Sequence, residues 1–565
     1  MSVVVAQRRT LIAALALLLT VTGCLSLPSE GGVQEGVEEA PADDGLDLVA
    51  ADPAPDASSE EIVRGFLFAA AAGLADDFDV ARQFLTASAG EQWDPRAGVT
   101  IYADADSLNY RVNPDDPTLV TVAAQVSATV DERGTYAEAP AGTVREFAFS
   151  LQQDTEDQWR ISALDDGALV SWVTFGSQYR QMSVYFLSTD GPQRLVPEAR
   201  WVPRSGSENA AVRGLLAGPA DWLAPGVVSA VPDGTMLTLD AVAIVDGVAT
   251  VNLSRQLLDA SAADRALVQA QLSQTLAQLP QVRRVEMSVD GSVLAVDEQA
   301  ALEQSPDPAR FPTVVTPDGL AELNSDTLEQ VDGVAVPPGL THLALGYGSA
   351  PPVGLEGQRL VTLTEDATEP VVLWESTAPL LAPSVDVQGW VWTGPMDPEP
   401  NRGALLVVDP VSGQQVSVAA PGLIDLNVVA IRVSREGARV AYAVRSELDV
   451  RVFVAAVERD ASGLPVALGA GVQLGAQMTD VRDLVWVDDV ELGVLGAVNG
   501  ALTVYLIGVG GTTVPLPSVD DTVAVAGGDG PRQLYLATST GELYGRSGNG
   551  WRVVVSDVRL PTFAG

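Results

Sequence analysis

One cysteine, one histidine and no lysine are what 565 residues offer to the commonest covalent and proton-transfer chemistries. All 32 basic residues are arginine, set against 74 acidic ones. Without lysine there is no P-loop lysine, no Schiff base and no Ser–Lys dyad. One Cys and one His do not make a zinc site of the usual kind. A Ser-His-Asp hydrolase would have to use His342 as its base. That residue lies in Thr341-His-Leu-Ala-Leu345, an apolar stretch that reads as a strand, where an exposed or hydrogen-bonded histidine is the simpler reading. No Gly-x-Ser-x-Gly elbow accompanies it. Chemistry by paired carboxylates stays open, because 74 acids form many pairs and a sequence holds no distances. Calcium is poorly marked: Asn113-Pro-Asp-Asp-Pro117 lacks the ligand spacing of an EF-hand loop, and its two prolines favour a turn. The chain is read as a non-enzyme, with no catalytic residue, cofactor site or metal ligand assigned.

The cysteine has a different use. Arg8 and Arg9 precede an uncharged apolar run at 11–21 that ends in small residues, the layout of a secretory signal. That run is about half of the roughly 20 residues a membrane-spanning helix needs. Val21-Thr22-Gly23-Cys24 has the form of a lipobox. Cleavage is therefore expected between Gly23 and Cys24, releasing a signal peptide of residues 1–23 and leaving lipid on the Cys24 sulfur. Two or three acyl chains, at about 0.8 kcal/mol per buried CH₂, hold a protein stably on a membrane. The expected location is the extracytoplasmic face of the cell membrane.

The formal net charge of −42 disfavours nucleic acid and anionic headgroups as partners. Residues 24–58, rich in Glu, Asp, Pro and Gly, have too little apolar content to fold alone and form a flexible acidic linker. Such a chain spans on the order of 30 Å, further where its charges repel.

Elements able to fold begin with Ser58-Ser-Glu-Glu61, which has capping-box spacing ahead of an apolar helical run. A second helix follows near 79–85. The period then changes to two, with Val120, Val122, Ala124, Val126, Ala128 and Val130 on one strand face. Strands around Phe147 and Ile161 complete an α+β domain at 59–178, similar to the cone-shaped NTF2-like fold. A second α+β unit occupies 179–298. It has a strand at 182–187, a helix ending in Leu215-Leu-Ala-Gly-Pro219, a strand pair at 237–242 and 248–254, and a helix striped by Val268, Leu272, Leu276 and Leu279. Tyr185-Phe186, Leu215-Leu-Ala-Gly-Pro219, Val231-Pro-Asp-Gly-Thr235 and Val251-Asn-Leu-Ser254 together resemble a GerMN domain, which implies an interaction module.

From about residue 299 to 565 helical periodicity disappears, and short strands alternate with Gly, Asp and Pro turns. Ser434-Arg-Glu-Gly-Ala-Arg-Val-Ala441 resembles the turn-and-strand of TolB-like propeller blades. The length allows a β-propeller of about five or six blades; a pair of β-sandwiches is the alternative.

Lipobox, acidic linker, α+β domain, GerMN-like domain and propeller, in that order, resemble the actinobacterial lipoprotein LpqB family over nearly the whole length. The resemblance includes Ala81-Arg-Gln-Phe-Leu-Thr86 with Trp93-Asp94, the joint from Trp172 to Tyr179, and Leu560-Pro561 near the end. The absence of lysine beside abundant Ala, Val and Gly fits the GC-rich genomes of that phylum. The resemblance implies a regulator that binds the extracellular domain of the sensor histidine kinase MtrB, in a two-component system, MtrA–MtrB, controlling envelope and division. Alternatives are a lipoprotein binding a cell-wall glycan or solute, and an envelope hydrolase.

Overall fold

The first helix, α1 (Ser59–Ala72), is set by the expected capping box. Ser58 Oγ accepts from the Glu61 N–H at 3.3 Å, and the Glu61 carboxylate accepts from the Ser58 N–H at 2.8 Å. Two of the four donors left open at a helix start are thereby satisfied. A computed structural model describes residues 50–565 except 75, 105–106, 114–115, 192, 239–241, 297–298, 349, 366–369, 397–402 and 447–448. Gly23, Cys24, the signal peptide and most of the linker lie outside the described residues.

α1 buries Ile62, Val63, Phe66 and Ala70 against a curved sheet. Two short helices, α2 (Asp79–Gln83) and α3 (Ala87–Gln92), precede β1 (Gly98–Tyr102), β2 (Asn109–Asn113), β3 (Asp116–Asp131), β4 (Tyr136–Glu138), β5 (Val144–Gln153), β6 (Trp159–Ala163) and β7 (Ala168–Ser171). The main path is β6-β5-β3-β1-β7, with β2 and β4 also paired to β3. β3 is long enough to serve two neighbours on each edge: residues 119–125 pair with β5 and 128–130 with β4 on one, and 116–123 pair with β2 and 126–131 with β1 on the other. Its alternating residues from Val120 to Val130 are buried, as their period of two requires.

A short helix, α4 (Trp172–Gln178), leads into the second domain, where β8 (Tyr179–Ser188) pairs along its length with β9 (Leu195–Pro203). Helix α5 (Ser207–Leu216) packs on this pair, and β10 (Val227–Val228) extends it. A second sheet takes the order β11 (Ala243–Val245), β12 (Val248–Leu253), β13 (Arg284–Val289), β14 (Ser292–Val293). Between β12 and β13, which are parallel, runs α6 (Ala262–Leu276). The stripe Val268, Leu272, Leu276 and Leu279 is fully buried in the shared core. Of the strand expected at 237–242, Leu237 bridges Leu253 and Thr238 donates to Asn252 O at 2.9 Å, residues 239–241 lie outside the described residues, and the ladder to β12 resumes at Ala243–Val245. The two-residue turn Asp246-Gly247, with φ of +50° and +75°, closes the hairpin between β11 and β12.

The C-terminal region is an all-β propeller. Among the described residues its strands form six blades, whose inner strands are Arg559–Thr562, Leu340–Ala344, Ser384–Val385, Asn427–Val433, Asp480–Trp486 and Thr522–Gly527. The first blade is assembled from both ends of the region: Arg559–Thr562 lies at the inner edge of Thr313–Thr316, pairing Thr313 with Thr562 and Val315 with Arg559. The inner strands run alike around the ring, as shown where Arg559 and Thr562 donate to the carbonyls of Leu340 and Leu343. Residues preceding the inner strands and residues following them therefore face opposite mouths. The architecture is the expected one, two α+β domains followed by a propeller.

Candidate functional site

His342 lies on the inner strand of the second blade, and its Nδ1 is 3.2 Å from the hydroxyl of its neighbour Thr341. His342 is exposed; partial loss of surrounding water, and then the charge of Arg432, hold its pKa below the ordinary imidazole value, with Asp483 opposing. A ring whose polar contact is the adjacent threonine is a strand residue without the orienting carboxylate of a triad. Within Asn113-Pro-Asp-Asp-Pro117, Asn113 at the end of β2 pairs with Asp116 at the start of β3, and residues 114–115 lie outside the described residues. No group of three or more His, Cys, Asp and Glu among the described residues is arranged to hold a metal ion.

What the fold does bring together is a junction of the three domains, and its crosspiece is β9. Pro197, Glu198, Arg200 and Trp201 each reach a different neighbour. Glu198 and Arg200, two apart and so on one strand face, form a fully buried ion pair at 2.7 Å. Arg200 donates to the carbonyls of Arg133 in the N-terminal domain at 2.9 Å and Gly218 at 3.3 Å. Glu198 accepts from the Ala220 N–H at 3.0 Å. Burial raises the Glu198 pKa and the arginine opposes that rise. The Trp201 N–H donates to Gly134 O at 2.7 Å, and its indole N–H donates to Gly510 O of the propeller at 3.0 Å.

From the propeller side the partner is the segment singled out as a blade turn. Gly437, at φ +79°, closes it by donating to Ser434 O at 2.9 Å. Glu436 and Arg439 are thereby placed on the same side, with Arg439 Nε 2.6 Å from Glu436 Oε1. Arg439 is completely buried. A guanidinium out of water needs acceptors for its donors. It finds Pro197 O of β9 at 3.2 Å and Asp489 O at 2.7 Å, and its plane lies 4.9 Å from the Trp486 ring centroid. Burial opposes its charge, but Glu436, Asp489 and Asp488 together outweigh that cost and raise its pKa. Apolar packing continues the contact: Ala438 and Ala456 join the core of the second domain.

A third link joins the N-terminal domain directly to the propeller. Glu138, on β4, accepts from the N–H of Ala476 at 3.2 Å, the N–H of Thr513 at 2.9 Å and the Thr513 hydroxyl at 2.9 Å. Burial pushes its carboxyl up in pKa, against those hydrogen bonds.

Three family models match the chain. Residues 52–176 match the N-terminal domain of lipoprotein LpqB, residues 183–295 a module described as sporulation and spore germination, and residues 318–564 the lipoprotein LpqB beta-propeller domain. The chain belongs to the actinobacterial lipoprotein LpqB family. LpqB of Cutibacterium acnes is 35% identical over 298 residues, 52% of this chain and 48% of that protein, so this match spans about half of the relative's length. LpqB of Streptomyces coelicolor is 29% identical over 534 residues, 85% of each chain. LpqB of Streptomyces avermitilis is 27% identical over 599 residues, 96% of each.

Sequence reasoning placed the LpqB domains in order but did not find the junction. Its signal was there: charged residues at i and i+2 inside the otherwise apolar Val196-Pro-Glu-Ala-Arg-Trp-Val202, and an Arg three residues after Glu436. A buried charge in a strand has to be paired, and pairing partners far apart in sequence leave no local pattern.

Proposed function

We propose that this protein is a lipid-anchored accessory protein on the outer face of the cell membrane that binds the extracellular domain of a sensor histidine kinase and modulates its signalling. The observation that carries the reading is the junction itself. Buried charges on β9, at Arg439 and at Glu138 tie three domains together at fixed positions, which suits a protein that presents a preformed surface to a partner. The lipid on Cys24 is the tether, and the acidic linker sets the distance from the membrane. Kinship with LpqB lipoproteins supports the anchor; the identity of the kinase as MtrB rests on the resemblance of the domain order.

The test is affinity capture from detergent-solubilised membranes, with intact protein beside Cys24→Ala. A histidine kinase recovered with intact protein, and bound again when purified soluble protein meets the kinase ectodomain, is the expected result. Cell-wall fragments recovered without any kinase would replace this reading by glycan binding. That second reading has one observation behind it, a cavity of about 210 Å³ in the N-terminal domain walled by Phe66, Phe147 and Phe149 with Arg145 and Asp165 at its polar side.

A further inference from the structure

The end of the propeller where the inner strands begin is built differently from the end that meets β9. It holds a cavity of about 900 Å³ between the sixth, first and second blades. Its walls are the turn Thr316-Pro-Asp-Gly319, the turn from Thr538 to Gly541, the segment 333–338, Val523 at the start of one inner strand and Arg559 at the start of another. Three exposed carboxylates line it: Asp318, Glu365 and Asp557. A second cavity of about 470 Å³ adjoins it, sharing Thr540, and adds Asp520, Asp521 and Glu542 beside Tyr544 and Trp551. Against these six acids the two cavities hold one cationic side chain, Arg559. That guanidinium donates to Leu340 O at 2.6 Å, inside the ring. The non-polar part of the wall is Val334, Val336, Pro337 and Pro338, a shelf without charge.

We propose that this open mouth is the docking site for an extended, cationic peptide segment of a protein partner, whose Arg or Lys side chains pair with the carboxylates while apolar side chains rest on the Val–Pro shelf. Charge complementarity selects the occupant: an anionic ligand would meet six acids and one tethered arginine, whereas a basic segment gains from each pair. Tyr544 offers an aromatic face to a guanidinium in addition, while Trp551 already carries Arg546 at 4.9 Å from its ring centroid. The two adjoining cavities also match an extended chain better than a compact solute, since the path between them runs over the turn at Thr540. The inference deepens the partner-binding reading and rests on it, because it names the chemistry of the segment such a partner would insert.

The test uses the full chain in detergent and a fluorescent peptide of alternating Arg and Val, followed by anisotropy. Native protein is expected to bind it, with affinity falling as salt rises. The variant Asp318→Asn/Glu365→Gln/Asp557→Asn is expected to weaken binding about tenfold or more. A control with the same change of net charge, Glu91→Gln/Glu132→Gln/Glu156→Gln in the N-terminal domain, is expected to stay within about twofold. Unchanged melting temperatures establish that both variants are folded. Equal losses in the two variants would mean diffuse attraction to an acidic protein and overturn the proposal, as would failure of the native protein to bind. Kinase capture separates this inference from the reading beneath it. If native protein and the mouth variant capture a kinase equally, the mouth is not the docking site and the partner-binding reading stands. If native protein captures none, that reading fails, and the peptide titration alone judges the mouth.

Discussion

The two mouths of the propeller are made from the same strands and treat charge in opposite ways. Where the inner strands end, Arg439, Glu436 and the β9 carbonyl of Pro197 meet out of water, and the charges are paired. Where they begin, Asp318, Glu365 and Asp557 stand exposed around a cavity. Burial decides the difference: a charge withdrawn from water is held only by a specific partner, while a solvated one keeps its water until a ligand displaces it. One mouth is an internal joint and the other is a surface available to something else.

The contrast is broken most severely at the closed mouth. Arg439→Met leaves Glu436 buried without its cation and is expected to cost about 3–5 kcal/mol of unfolding free energy, read by chemical denaturation. Adding Glu436→Leu is expected to recover most of that loss, since an apolar pair has no charge to desolvate. A smaller effect belongs to the outer link. Glu138→Ala removes three hydrogen bonds to a carboxylate and is expected to cost about 1.5–3 kcal/mol, with faster amide exchange at Thr513 and Ala476.

Next comes a pH effect beside the same joint. The carboxyl of Glu491 is pushed up to about 7, by burial and then by Asp488. Between its ordinary value of 4.5 and about 7 the folded chain therefore holds a proton that the unfolded chain has lost. Stability falls as pH rises through that window. Glu491→Gln is expected to remove this slope and to stabilise the protein at pH 8 by about 1–2 kcal/mol after solvent screening, with little change at pH 4. The smallest effect is at the open mouth. Asp557→Asn, at a φ of +59° that Asn accepts, is expected to move stability by no more than about 0.5 kcal/mol. A larger loss there would mean that the open mouth also serves the fold.

Features that repeat locally were legible in the sequence. The Ser58–Glu61 capping box, the period-two burial of β3 and the stripe from Val268 to Leu279 each follow from neighbours within a few residues. The turn at Gly437 was legible as a blade turn, but its function as a domain contact was not, because Pro197 lies far upstream. The parallel pairing of β1 with β7 was hidden for the same reason: nothing in Gly98–Tyr102 names Ala168–Ser171 as its neighbour. In the strand pair of the second domain the Asp246-Gly247 turn, local in sequence, sets the register of Ala243–Val245 against β12. The open mouth was invisible, since its six acids come from five separate turns and each taken alone is an ordinary solvated loop.

The strand Arg559–Thr562 has a consequence for the order of events in making the protein. A chain synthesised from its N-terminus delivers Thr313–Gln330 well before Arg559–Thr562, the strand that pairs with Thr313. Until then the first blade has an unpaired inner edge, and the ring behind it is an open arc. Closure of such a distant contact is slow compared with hairpin formation. The arc has to avoid pairing with the edges of other chains while it waits, so Arg559–Thr562 acts as the latch that ends a period of vulnerability.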